Sequence, residues 1–157
     1  MEDIEKRLRE RGIELPSASA PAANYVPFIV AGEQVYCAGQ LPVWEGELRY
    51  KGRLGEDVSI EHGQEAARLC GLNLLAQVRM ACGGNLSRVR RVIRLGVFVN
   101  SADGFIDQPK VANGASDLMV AVFGEAGRHA RSAVGVNVLP LGVSVEVDGI
   151  FEIEPHT

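Results

Sequence analysis

The sequence predicts an α+β domain: a sheet with two helices packed on one face and a short helix ahead of them. Three observations lead there. Segments 60–82 and 108–124 carry apolar residues at helical spacing. Paired β-rich segments precede the first of these helices and follow the second, giving the order β-β-α-β-α-β-β. The 157 residues, 46% hydrophobic and 23% charged, fit one globular domain with a substantial core.

Residues 2–12 read as a short helix. Glu5 and Arg9 form an i,i+4 pair, Ile4 and Leu8 a small apolar stripe, and Gly12 a stop. The Ser- and Ala-rich stretch from Pro16 to Pro21 is an extended arm. Residues 1–19 are therefore expected to be a helix and linker, ahead of a domain over 20–157. Residues 28–30 and 34–38 read as a hairpin around Ala31-Gly32-Glu33. The polar, Gly-rich segment 43–58 has room for a short strand. Its Trp44 and Tyr50 are expected to anchor it on the body rather than close over a ligand.

Residues 60–82 form the strongest helix. Ser59 is its candidate N-cap, Ala66, Leu69, Cys70 and Leu74 trace its apolar face, and Gly83-Gly84 stop it. Residues 88–100 read as a long strand. Its Arg88, Arg90, Arg91 and Arg94 form the one basic cluster, read as a charged strand start or edge. An RNA surface would interleave aromatic stacking residues, and none occur there. Residues 108–124 are the second helix, with Pro109 in its first turn and Gly124 at its end.

The C-terminal segment, from Arg131 through Leu139-Pro140-Leu141-Gly142 to Val147, reads as a hairpin. A turn centred on Pro140-Leu141 gives Val134, Val136 and Val138 a common core face with Val143, Val145 and Val147. Arg131, Ala133, Gly135 and Glu146 then share the other face, with Glu146 opposite Gly135 and roughly 13 Å of strand from Arg131. A guanidinium keeps its charge, so on an apolar ribbon it needs a carboxylate, an anionic ligand or water. Arg131, Glu146 and the small residues between them outline a pocket for a small anion. The plain alternative is an exposed Arg and an exposed Glu on a solvated strand.

Ala130-Arg131-Ser132, Leu139-Pro140 and Val145-Glu146-Val147 resemble, in residues and spacing, the signature of the RidA family, also called YjgF and labelled endoribonuclease. Weaker matches stand in family order: Pro21-Ala22-Ala23, Val35-Tyr36-Cys37-Ala38-Gly39-Gln40-Leu41-Pro42, Val97-Phe98-Val99-Asn100, and Phe105 with Val111-Ala112-Asn113. The resemblance covers about residues 20–154 and implies the chorismate-mutase-like fold. It also implies a homotrimer, with sheets around a central barrel and a site in each subunit cleft. The implied reaction is hydrolytic deamination of small reactive 2-imino or enamino acids to 2-oxo acids. Arg131 would anchor the carboxylate and Glu146 would orient the water. Phe28, Cys37, Ala38, Gly39, Asn113 and Ala133 would line the pocket. The chain departs from the family where a Ser or Thr usually stands (Ala38), where a Tyr is frequent (Phe28) and where a Cys follows the Arg (Ala133). These losses favour a second reading, a trimeric module that holds a small carboxylate without turning it over.

A net charge of −4 and a pI of about 5.4 supply no basic field for nucleic acid, so a third reading, endoribonuclease, is disfavoured. No apolar run reaches membrane-span length, and the first residues lack the apolar core of a signal peptide, so a cytoplasmic location is expected. Cys37, Cys70 and Cys82 have no metal-ligand spacing and read as reduced, buried thiols; His62, His129 and His156 form no recognisable pair with them. No metal or organic cofactor is expected, because an imine carbon is already electrophilic.

Overall fold

A computed structural model describes residues 2–20 and 23–155. Helix α1 (Ile4–Glu10) begins where the Asp3 carboxylate accepts from the Lys6 amide at 3.0 Å. Its stripe of Ile4 and Leu8 is buried. Glu5 meets Arg79 at 3.0 Å, and Arg7 donates to the Val122 carbonyl at 3.0 Å. The helix is thereby docked on the body.

Strands β1 (Phe28–Ala31) and β2 (Gln34–Gln40) form the expected hairpin, turning at Gly32 with φ +61°. The following excursion contains a two-stranded ribbon, β3 (Val43–Trp44) with β4 (Glu47–Leu48). Trp44 and Tyr50 pack against the core, and the Tyr50 hydroxyl donates to Glu65 at 2.8 Å. Both aromatics anchor the loop, as expected.

Helix α2 (Ile60–Ala81) starts at Ser59, whose hydroxyl accepts from the His62 amide at 3.1 Å. Helix α3 (Gln108–Phe123) has Pro109 in its first turn and ends at Gly124, φ +63°. Where the helices cross, a Cβ on Gly114 would lie 2.0 Å from the Gln64 carbonyl oxygen. Only glycine allows that approach. No helix among the described residues is long and apolar enough to cross a membrane.

Strands β5 (Val89–Asn100), β6 (Ala130–Val136) and β7 (Val145–Ile153) complete a five-stranded sheet of order β1-β2-β7-β5-β6. This order corrects the expected C-terminal hairpin. Strand β6 pairs in parallel with β5, and β7 pairs antiparallel with β5 on its other side. The physical reason is the crossover: β5, α3 and β6 make a strand–helix–strand unit, which returns the chain parallel to its first strand. The turn at Leu141 and Gly142, φ +59° and +74°, exists, but within a connection that passes over the end of β5.

The basic cluster lies at the start of β5, as expected: Arg90 and Arg91 are exposed and precede Arg94, where pairing with β6 begins. Arg90 pairs with Glu33 at 3.2 Å, and Arg94 donates to Ser132 at 3.0 Å and lies 3.9 Å from Asp148. The alternation on β6, by contrast, is inverted. Leu95, Val97 and Val99 are buried beneath the helices, and they are in register with Arg131, Ala133 and Gly135. Val134 and Val138 are 46% and 63% exposed rather than part of the core.

Candidate functional site

Arg131 sits on the edge strand β6, on the sheet face covered by α3. Its Nη1 donates to Asn113 Oδ1 at 2.8 Å and to Ser116 Oγ at 3.1 Å, both one turn apart on that helix. Nε and Nη2 have no protein acceptor among the described residues. These two nitrogens form one edge of the guanidinium, with parallel N–H bonds suited to a carboxylate. Ala133, the next residue on the same face, adds no polar group and packs towards the core.

A second histidine-centred contact adjoins it. His129 Nδ1 lies 2.6 Å from the Gly127 carbonyl oxygen, and Nε2 lies 2.9 Å from Ser116 Oγ. The 3-10 turn over Gly124–Gly127 sets this geometry. A Cβ on Gly127 would come within 2.2 Å of the Met119 carbonyl oxygen, so glycine lets the turn lie against α3. Ser116, Val120, Arg128, His129 and Arg131 line an open cavity of about 200 Å³. That is room for roughly six waters at ~30 Å³ each, or for one small acid.

Glu146 is elsewhere. It is in register with Phe98, whereas Arg131 is in register with Leu95. An odd separation along β5 puts the two side chains on opposite faces of the sheet. This corrects the shared polar face expected from a hairpin. Glu146 lies on the face free of helices and crowds Gly39: a Cβ there would meet Glu146 Oε2 at 2.1 Å. The close approach comes from a bulge, because Ala38 and Gly39 together oppose one residue between the pairs Cys37–Gly149 and Gln40–Val147. Partial burial, then the charge of Asp148, raises the Glu146 pKa above its ordinary 4.5. Burial also raises Asp148, against the opposing pull of Arg94.

Of the remaining expected residues, four divide between these two places and two lie at neither. Asn113 and Ala133 accompany Arg131. Ala38 and Gly39 accompany Glu146. Cys37 turns its thiol into the core, where burial pushes its pKa up to about 12, so it is a packing residue. Phe28 pairs with Cys37 on strand β1, at the opposite edge of the sheet from Arg131. All three cysteines are free and buried. Ser116 and His129 escaped the sequence reading. One signal was present: His129 and Arg131 are two residues apart in extended chain and so share a face.

A mixed sheet covered on one face by two helices is the chorismate-mutase-like architecture. The model of the family described as "YjgF/chorismate mutase-like, putative endoribonuclease" matches residues 5–152. The chain is 48% identical over 151 residues to protein TCP17 of Trypanosoma cruzi, covering 96% of this chain and 94% of that one. It is 50% identical to Atu1372 of Agrobacterium tumefaciens, a crystal structure described as of unknown function. The TM-score is 0.90, over 96% of this chain and 92% of that one. RidA from an Antarctic Psychrobacter is 27% identical, with a TM-score of 0.60 over 87% of this chain and 94% of that one. The chain belongs to the YjgF/RidA family.

Proposed function

We propose that this protein hydrolyses small 2-imino or enamino acids to 2-oxo acids and ammonia. The observation that carries the reading is the half-held guanidinium. Asn113 and Ser116 fix Nη1, which orients Nε and Nη2 as a fork for a carboxylate. The carbon next to that carboxylate is then held near Arg131, where water adds to its C=N bond. The carbinolamine collapses to the 2-oxo acid as its nitrogen leaves, protonated, as ammonia. Glu146 orients and deprotonates the water; its raised pKa makes it a stronger base than an ordinary carboxylate.

Arg131 and Glu146 occupy opposite sheet faces of one chain, so the reading places the complete site in a cleft between copies. A homotrimer is the proposed assembly, with Ala38 and Gly39 contributed from the Glu146 side of the cleft. The family relation to RidA supports it.

A second reading, a carboxylate-binding module without turnover, is favoured by one observation. Ala38 and Ala133 place no hydroxyl or thiol beside the two charged groups. Ammonia release decides between the two. An amino-acid oxidase generates the imine in the presence of semicarbazide, and the protein competes for it. Faster ammonia and 2-oxo acid formation supports the enzyme. Binding of 2-oxobutyrate without acceleration supports the module.

A further inference from the structure

We infer that His129 is a positioning residue for Arg131: through the Ser116 hydroxyl it sets the direction in which the guanidinium offers its free edge. The inference rests on the reading of Arg131 as a carboxylate anchor, and it gives work to a residue outside the family signature.

The directions of the hydrogen bonds carry the argument. The Gly127 oxygen is a carbonyl and can only accept, so the 2.6 Å contact requires a proton on His129 Nδ1. In the neutral ring, Nε2 is then bare and can only accept. The Ser116 hydroxyl, 2.9 Å away, donates to it. With its one proton committed, Ser116 Oγ turns a lone pair to Arg131 Nη1 and accepts at 3.1 Å. The chain of bonds therefore runs one way, from guanidinium to hydroxyl to imidazole to backbone carbonyl, and each member is oriented by the next.

A serine inside a helix has a competing acceptor, the carbonyl four residues back, which here belongs to Ala112. Water in the open cavity of about 200 Å³ beside Ser116 is another. The imidazole, itself tethered to Gly127, keeps the hydroxyl from both. The consequence reaches Arg131. Asn113 Oδ1 at 2.8 Å and Ser116 Oγ at 3.1 Å meet a single nitrogen from two points on α3. One acceptor alone would let the guanidinium swing about that contact; two set its plane. The free Nε–Nη2 edge faces away from Ser116 and His129, so neither touches the ligand. Their effect passes through the angle of the fork, on which two parallel bonds to a carboxylate depend.

Calorimetric titration of 2-oxobutyrate into wild type, Ser116→Ala, His129→Phe and the double variant tests this, once each protein shows wild-type mass and melting behaviour. Phenylalanine keeps a ring and removes the acceptor. Each single variant should bind about fivefold to tenfold more weakly, the worth of one neutral hydrogen bond. The double variant should bind no more weakly than either, because His129 acts only through Ser116. His129→Gln sets an amide oxygen near the place of Nε2 and should recover most of the affinity. A merely structural histidine would give neither the cycle nor the rescue. Long-range nitrogen-15 NMR of the wild type at mildly alkaline pH should show His129 protonated on Nδ1 and bare on Nε2, a readout that needs no variant to fold. A proton on Nε2 overturns the inference. So do unchanged affinity in His129→Phe, additive losses in the double variant, or a Gln variant as weak as Phe. Each of these leaves Arg131 standing as the anchor. A wild type that does not bind 2-oxobutyrate removes the anchor and this inference with it.

Discussion

At Arg131 the chain ties down one guanidinium nitrogen and leaves an edge of two N–H donors open to a carboxylate. Lysine cannot reproduce that fork, so Arg131→Lys is expected to bind 2-oxobutyrate hardly better than Arg131→Ala. Glu146 makes the opposite bargain with its surroundings. Burial and the charge of Asp148 raise its pKa in the folded chain above 4.5, the ordinary value to which it returns on unfolding. The folded state binds the proton more tightly. Its contribution to stability is complete below the unfolded pKa and is lost as pH rises through the folded one. Glu146→Gln is therefore expected to raise the melting temperature at pH 7 by about 2 °C, discounted for the half-exposed position. It should also flatten the fall in stability above pH 4.5. The same variant should slow turnover while sparing ligand affinity, the pattern of a functional group held at a structural cost. A melting temperature that drops at pH 7 would show that Glu146 is stabilising and would contradict this picture.

At the scale of elements, the decisive contact is between α2 and α3. Gly114→Ala gains roughly 1 kcal/mol in helix propensity. Against this, its Cβ would sit 2.0 Å from the Gln64 backbone oxygen, which cannot move unless the helices part. Overpacking of this kind costs about 1–3 kcal/mol or more, and the rigid backbone partner puts it at the upper end. A fall of roughly 5 °C in melting temperature is expected by thermal unfolding. An unchanged or raised value would mean that the helices have room to spare. Both helices were legible in the sequence to within a residue or so, because caps and glycines mark their ends. The β1–β2 hairpin was legible for the same reason. The C-terminal pairing was misread because Leu139-Pro140-Leu141-Gly142 has the chemistry of a tight turn, and a local signal was preferred to a longer one. The longer signal was the strand–helix–strand succession ending at β6, which demands a parallel return beside β5. That one choice inverted every face assignment on β6. It also hid Ser116 and His129, whose meeting depends on where β6 lies against α3. Arg131 stood out as a guanidinium on an apolar ribbon and Asn113 through a family resemblance, and the fold places the two 2.8 Å apart.

At the scale of the molecule, one sheet face lies free of helices and mixes Glu146 and Asp148 with exposed apolar residues, Ile29, Tyr36 and Val134 among them. A face of that composition fits an assembly of copies better than bulk water. Size exclusion with light scattering should give three times the 16.9 kDa chain mass. A single-chain mass at micromolar concentration would remove the cleft between copies. The net charge of −4, with Arg90 and Arg94 already paired to acids, leaves little to attract RNA. Purified protein should leave labelled single-stranded RNA intact, and cleavage lost in Arg131→Ala would contradict that. The central claim is that Arg131 anchors a small carboxylate, and calorimetric titration of 2-oxobutyrate into wild type and Arg131→Ala tests it most directly. Loss of a charge-assisted fork costs about 3 kcal/mol or more, which is a hundredfold or greater loss of affinity at ~1.4 kcal/mol per tenfold. That loss is expected in a variant that keeps wild-type mass and melting temperature; equal affinity in the two folded proteins would contradict the claim.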